Sequence, residues 1–188
     1  MHQNLIDKYG GLYEHLLSFK TKLLERGQVK NGQHHWLELD NNPTLNALLN
    51  YEKPKIIWKE ISADSSFSYD DENYYLPNTS YFLIGEDLHF LLGVLNSKVS
   101  DFYFFQITPQ IAGGSKRYTK QYVEMLRIPV MEKILKEIIS DLVVNIIDAK
   151  KTNNSTKKYE DRIDELLCDF YEFDAEERKY IYSTFDEK

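Results

Sequence analysis

The apolar residues of this chain pass from helical spacing to short strand-like runs and back, and that change of pattern restricts the fold more than any single residue does. In residues 12–24, Leu12, Leu16, Phe19 and Leu23, with Leu17 and Leu24 beside them, recur at three- and four-residue intervals, as one face of an α-helix requires. Glu14 in the first turn, Lys20, Lys22 and Arg26 toward the end and Gly27 beyond suit the helix dipole and a helix stop, and Asn31-Gly32 reads as a turn. Between residues 36 and 84 the texture changes: Trp36-Leu37-Glu38-Leu39 alternates, Lys55-Ile56-Ile57-Trp58 is a short apolar run, and Tyr74-Tyr75-Leu76 and Tyr81-Phe82-Leu83-Ile84 are aromatic and branched, so all four read as strands. Asn42-Pro43, Asp70-Asp71-Glu72-Asn73 and Pro77-Asn78 punctuate them, with a short helix over 44–50.

Helical spacing returns at Leu88, Leu91, Leu92 and Leu95 behind a candidate N-cap, Asp87, and again after Asn96-Ser97 at Val99, Phe102, Tyr103 and Phe105. Beyond Pro129 no strand signal remains. Ile134, Ile138, Ile139, Leu142, Val143, Ile146 and Ile147 predict one long helix, Tyr159, Ile163, Leu166, Leu167 and Phe170 a second, and Asp174-Ala175-Glu176-Glu177 opens a third with capping-box spacing. The expected fold class is α+β: a mixed strand-and-helix domain with a helical N-terminal element over residues 1–130, and a C-terminal helical appendage over residues 131–188 that packs on that domain or on a partner.

At 188 residues, 42% of them hydrophobic and 14% aromatic, the chain has material for a sizeable core, which excludes a disordered or fibrous protein. Cys168 is the single cysteine, so no internal disulfide forms. Met1-His2-Gln3-Asn4-Leu5 lacks the basic and then apolar run of a secretory signal, and no uncharged apolar run approaches bilayer length, so a cytoplasmic location without a membrane partner is expected. The net charge of −7 argues against a uniformly basic nucleic-acid coat. The acidity is unevenly spread: residues 131–188 hold 10 basic and 15 acidic residues, a net of −5, leaving −2 for residues 1–130.

Motifs for common chemistries are missing. Gly113-Gly114-Ser115-Lys116 lacks the upstream glycine of a phosphate-binding loop, and His34-His35 has no further His or Cys at chelating spacing. Cys168 lies beside Leu166 and Leu167 with no base, as a structural thiol does. The carboxylate clusters Asp70-Asp71-Glu72, Glu86-Asp87 and Asp161, Asp164, Glu165 fall in a turn, at a helix start and on a polar helix face, where solvated acids are ordinary. Residues 110–127 stand apart, with Lys116, Arg117, Lys120 and Arg127 against Glu124 alone, interleaved with Tyr118 and Tyr122 behind a glycine pair. Cations for phosphates beside aromatic faces suit a nucleic-acid contact; a mobile loop followed by a solvated helix fits the same residues.

The ordered series of segments resembles the TaqI-like C-terminal specificity domain, the target recognition domain of adenine-specific DNA methyltransferases and fused restriction-modification enzymes. It is carried by Leu16-Leu17-Ser18-Phe19-Lys20-Thr21-Lys22-Leu23-Leu24, Trp36-Leu37-Glu38-Leu39 and Lys53-Pro54-Lys55-Ile56-Ile57-Trp58-Lys59-Glu60-Ile61-Ser62. The same order continues in Tyr74-Tyr75-Leu76-Pro77-Asn78-Thr79-Ser80-Tyr81-Phe82-Leu83, Leu91-Leu92-Gly93-Val94-Leu95-Asn96-Ser97-Lys98 and Lys120-Gln121-Tyr122 through Ile128-Pro129. The tail, Ile163-Asp164-Glu165-Leu166-Leu167 with Phe170-Tyr171, is similar too.

The resemblance implies recognition of a short double-stranded DNA sequence on behalf of a methyltransferase or nuclease domain of the same or a partner polypeptide. S-adenosylmethionine is expected in that methyltransferase domain and no cofactor or metal in this chain. Catalytic residues are expected elsewhere: Asn42-Pro43 is followed by Thr44, not by the second proline of an Asn-Pro-Pro-Tyr tetrapeptide, and Asp148-Ala149-Lys150 reads as surface charge rather than as part of a nuclease cluster. The chain is therefore expected to be a fragment of a site-specific adenine methyltransferase or type II restriction enzyme. Lys116, Arg117, Tyr118, Lys120 and Ser115, with Lys98 and Lys59, are the expected DNA-binding residues, and Lys59, Ser62, Asp64, Ser65 and Ser66 are candidates for base contact. The alternative from another class is a helical interaction module that docks a partner subunit through residues 134–147 and 159–170.

Overall fold

The computed structural model describes residues 3–39, 44–111 and 114–186. The expected turn at Asn42-Pro43 and the first glycine of the pair, Gly113, lie outside them. The chain divides into two compact units, residues 1–48 and 49–188.

The first unit holds α1 (Gln3–Lys8), α2 (Gly10–Ser18), α3 (Lys20–Leu24) and α4 (Gly27–Lys30). The single helix expected over 12–24 starts earlier and breaks at Phe19, whose N–H turns back to the Leu16 carbonyl at 3.0 Å while Ser18 Oγ donates to His15 O. The strand expected at residues 36–39 is a turn instead. Arg26 explains it: Nη2 donates to the carbonyls of Trp36 (3.1 Å) and Glu38 (2.6 Å), removing both acceptors from any ladder. Among the described residues of this unit only Trp36 is buried, against Tyr13 and beneath the Lys20 ammonium. α5 (Leu45–Tyr51) then forms as expected, with Thr44 Oγ1 accepting the Ala47 N–H.

The second unit is built on β1 (Lys55–Lys59), where alternation sends Ile56 and Trp58 inward. β2 (Ile61–Ser62) follows, and β3 (Ser68–Asp70) and β4 (Ser80–Leu83) flank β1 in an antiparallel sheet ordered β3-β1-β4. Lys55 stands opposite Asp70, Trp58 opposite Tyr81 and Lys59 opposite Ser80. The strand expected at residues 74–76 is absent, because the Asp70 carboxylate captures the N–H groups of Glu72 (2.9 Å) and Tyr74 (3.1 Å) and Asn73 turns with φ of 64°.

α6 (Leu88–Leu95) and α7 (Lys98–Ile107) come next, then β5 (Lys116–Arg117), which pairs with β2, and α8 (Lys120–Val123). Asp87 precedes α6 but does not cap it; it lies in the left-handed region and accepts from Lys136 at 2.9 Å. The Asn96-Ser97 break is real, with Ser97 Oγ accepting the Ser100 N–H as the cap of α7. α9 (Lys133–Lys151), α10 (Lys157–Phe170) and α11 (Ala175–Asp186) complete the unit, and Asp174 and Glu177 form the reciprocal capping box. Ile139 and Val143 of α9 and Ile163 and Leu167 of α10 share one core with Ile56, Trp58, Leu92 and Phe104. α6 meets α9 at Gly93, where a Cβ would lie 2.8 Å from Ile139 Cγ2 and 3.0 Å from Val143 Cγ2, so only glycine allows this approach. Among the described residues no helix is long and apolar enough to cross a membrane.

Candidate nucleic-acid interface

The basic segment is folded into the β2–β5 ribbon, in which Ile61 faces Arg117 and Ser62 faces Lys116. Gly114, at φ of 76°, lets the chain turn back so that Ile111 N–H reaches the Ser115 carbonyl. Strand alternation then decides which side chains face water. Arg117 points outward, half-exposed and 3.7 Å from Glu60, and Lys120 at the start of α8 is largely exposed, 3.5 Å from Glu124. Lys59 is exposed two residues before Ile61, the partner of Arg117. Ser115 is half-buried at the ribbon's foot.

Lys116 and Tyr118 turn inward on the same alternation. The Lys116 ammonium is buried 4.2 Å from the centroid of Phe105 and lends charge to Asp101. A phosphate contact from it would need the ammonium to leave the core, which is a correction to the outward placement expected of it. Tyr118 is also a core residue. Its ring stacks on Phe104 at 4.2 Å, its N–H donates to Glu60 O, its carbonyl accepts from Trp58 Nε1, and its hydroxyl donates to Asp101 Oδ1 at 3.2 Å. Burial, then the Asp101 charge and hydrogen bond, hold the phenol well above its ordinary range. Lys98 is engaged by the C-terminal helices: its Nζ lies over Tyr182 at 4.9 Å and its N–H donates to Asp164 at 2.8 Å.

The organising residue is one that composition and spacing did not single out. Asp101, buried in α7, accepts from Ser65 N–H (3.1 Å), Ser65 Oγ (3.0 Å) and Tyr118 Oη, so one carboxylate joins the ribbon to the loop of residues 63–66. Burial raises its pKa; the Ser65 hydrogen bonds, Lys116 and Tyr118 oppose that rise. A second anchor is Asn96, whose Nδ2 donates to Phe67 O and whose Oδ1 accepts from Phe67 N–H, both at 3.0 Å. The readable signal for Asp101 was a lone carboxylate inside the aromatic run Val99 to Phe105.

Two acids taken for solvated ones are likewise structural. Asp70 is buried against Lys55 Nζ at 2.7 Å. Burial alone would push its carboxyl up, but the hydrogen bonds from Lys55, Glu72 and Tyr74 and the Lys55 charge hold it below the usual range. Asp164 reaches from α10 to accept the Lys98 N–H at the start of α7, and burial raises it to about 6 against that bond and the Lys98 charge. Cys168 is buried 3.5 Å from the Tyr182 hydroxyl, and burial pushes its thiol up.

Comparison with known proteins converges on one family. The profile of the TaqI-like C-terminal specificity domain matches residues 7–130. The chain is 28% identical over 165 residues to the type II methyltransferase M.MjaIV of Methanocaldococcus jannaschii, covering 85% of this chain and 55% of that protein. It is 25% identical over 184 residues to the type II methyltransferase M.BanIII of Aneurinibacillus aneurinilyticus, covering 89% of this chain and 31% of that protein. The chain thus spans about half the length of the first relative and about a third of the second.

Proposed function

The chain belongs to the TaqI-like C-terminal specificity domain family, and from that premise we propose that it recognises a short double-stranded DNA sequence for an adenine-specific DNA methyltransferase or a restriction-modification enzyme of the cytoplasm. The observation that carries the reading is the family match over residues 7–130, which takes in the β2–β5 ribbon with its outward cations. Arg117, Lys120 and Lys59 supply phosphate contacts that set the register of the protein on the duplex. Their neighbours Glu60 and Glu124 are surface partners, weakly held and readily exchanged for a phosphate. Lys116 and Tyr118 serve the same interface from inside, by holding the ribbon.

Methyl transfer from S-adenosylmethionine, and cleavage where it accompanies it, are assigned to a methyltransferase or nuclease portion beyond these residues. The residues here do not fit the cofactor: the buried carboxylates Asp101 and Asp164 are engaged by backbone N–H groups, and no Gly-rich cofactor loop occurs in the sequence. In this reading residues 131–188 brace the recognition domain of residues 1–130. The second reading, a docking module, draws on Val130 (93% exposed), Ile134 (67%) and Ile138 (40%), left on the outer side of α9 and its approach while Ile139 and Val143 fill the core.

Fluorescence titration of a labelled duplex tests the first reading. Three phosphate contacts give a log–log salt slope of about −2.7, and the double variant Arg117→Ala/Lys120→Ala lowers affinity on every sequence and flattens that slope by about 2. Unchanged affinity and slope in the double variant would overturn the assignment of the ribbon as the DNA face.

A further inference from the structure

Sequence recognition needs phosphate contacts and base contacts at a fixed separation, because a base-reading side chain that slides relative to the backbone contacts loses its register. The geometry points to the loop of residues 63–66 as the base-reading element, with Asp64 as the reading residue and Asp101 as the positioning residue that holds this loop to the cationic ribbon. The inference rests on the DNA-recognition reading above and deepens it.

The loop leaves the ribbon directly, since Ser62 pairs with Lys116 and residues 63 and 64 follow it. Ala63 and Asp64 are exposed at its tip, while its far side is held at two successive places. Asp101 takes both the N–H and the hydroxyl of Ser65, and Asn96 takes both the N–H and the carbonyl of Phe67. The Ser66 hydroxyl donates across the loop to Ser62 Oγ at 3.4 Å. An exposed tip on a base pinned at two points is ordered before it meets a ligand, so binding does not have to supply that ordering. The same Asp101 carboxylate holds the Tyr118 hydroxyl, and the residue between Tyr118 and the buried Lys116 is the outward Arg117. One buried side chain therefore sets the spacing between a phosphate-contacting strand and an exposed polar tip.

The charge of the tip says what it reads. A carboxylate only accepts hydrogen bonds and is repelled by phosphates, so on a DNA-facing loop its favourable partner is a base amino group. In the major groove the matching donor is cytosine N4. Asp64 also lies near enough to Tyr118 to raise its pKa, which places its charge at the ribbon.

Selection from a library of randomised 20-bp duplexes, with the full chain at low salt, tests this. Wild type enriches a motif containing a preferred cytosine. Asp64→Ala loses that preference by about tenfold, and Asp64→Asn moves it toward adenine, the partner of an amide. Asp101→Asn and Ser65→Ala blur the motif at several positions, whereas Ser65→Thr, which keeps the hydroxyl, restores it. Circular dichroism and the melting temperature of each variant separate lost positioning from lost fold, and if Asp101→Asn unfolds, the Ser65 pair carries the comparison. An unchanged motif in both Asp64 variants, or in folded Ser65→Ala, overturns the inference while leaving DNA recognition standing. No motif and no salt-dependent binding by wild type overturns both.

Discussion

Two regions of the second unit bury carboxylates and use them in opposite ways. At the sheet, Asp70 lies opposite Lys55 on the neighbouring strand, and a full cation compensates its charge in the core. At the head of α7, Asp101 and Asp164 are buried with hydrogen bonds as their main support and have raised pKa values, while Asp70 is lowered. The sheet acid is an ion of the strand ladder; the helix acids hold backbone N–H groups from other elements. A buried carboxylate with its own cation stiffens what is already adjacent in register. One without a dedicated cation can tie together elements distant in sequence, at the expense of stability near neutral pH.

Removing the sheet cation breaks this contrast most severely. Lys55→Ala leaves Asp70 charged and buried, and urea unfolding should show a loss of about 3–5 kcal/mol. Lys55→Met with Asp70→Leu removes both charges and should recover most of it; a double variant as unstable as the single one would show that packing, not charge, is at stake. At α7 the ordering reverses. Asp164→Ala abandons the Lys98 N–H and costs about 1–2 kcal/mol, while Asp164→Asn keeps an acceptor without burying a charge and costs less.

Acid sharpens the comparison with the smallest effect. Asp164 binds its proton more tightly folded (about 6) than unfolded (about 3.9), so stability rises as pH falls from 7 to 5, by about 1 kcal/mol. Asp101, also raised, pushes the same way. Asp70 is lowered, so its stabilisation is constant over that window and is lost only as pH falls below its unfolded value toward its folded one. Asp164→Asn should remove its share of the gain between pH 7 and 5. Stability that falls over that window in wild type would place Asp164 in a different environment from the one described.

The long helices were legible because each carries its own signal: α9 and α10 show it in apolar spacing and α11 in its capping box. The inward turn of Lys116 and Tyr118 was harder to read. A basic, aromatic segment in an acidic protein reads as outward, and nothing local says that Asp101 and Phe105 wait inside to receive the lysine. The alternation of inward Lys116, outward Arg117 and inward Tyr118 was present in the residues, but a two-residue strand is too short to declare a period. Residues 36–39 and 74–76 failed as strands for one shared reason. Their residue types suited strands, but a distant Arg26 and a nearby Asp70 claimed the carbonyls and N–H groups a ladder would need.

The grip of Asn96 on Phe67 is made to main-chain atoms alone. Such a clamp does not depend on which side chain occupies the held position, and the two positions at the tip, 63 and 64, take no part in it. A short insert exchanged at that tip would meet the same anchors. This part of the protein is thus built like a tool holder, whose bit can be changed to suit a new target while the chuck is left alone.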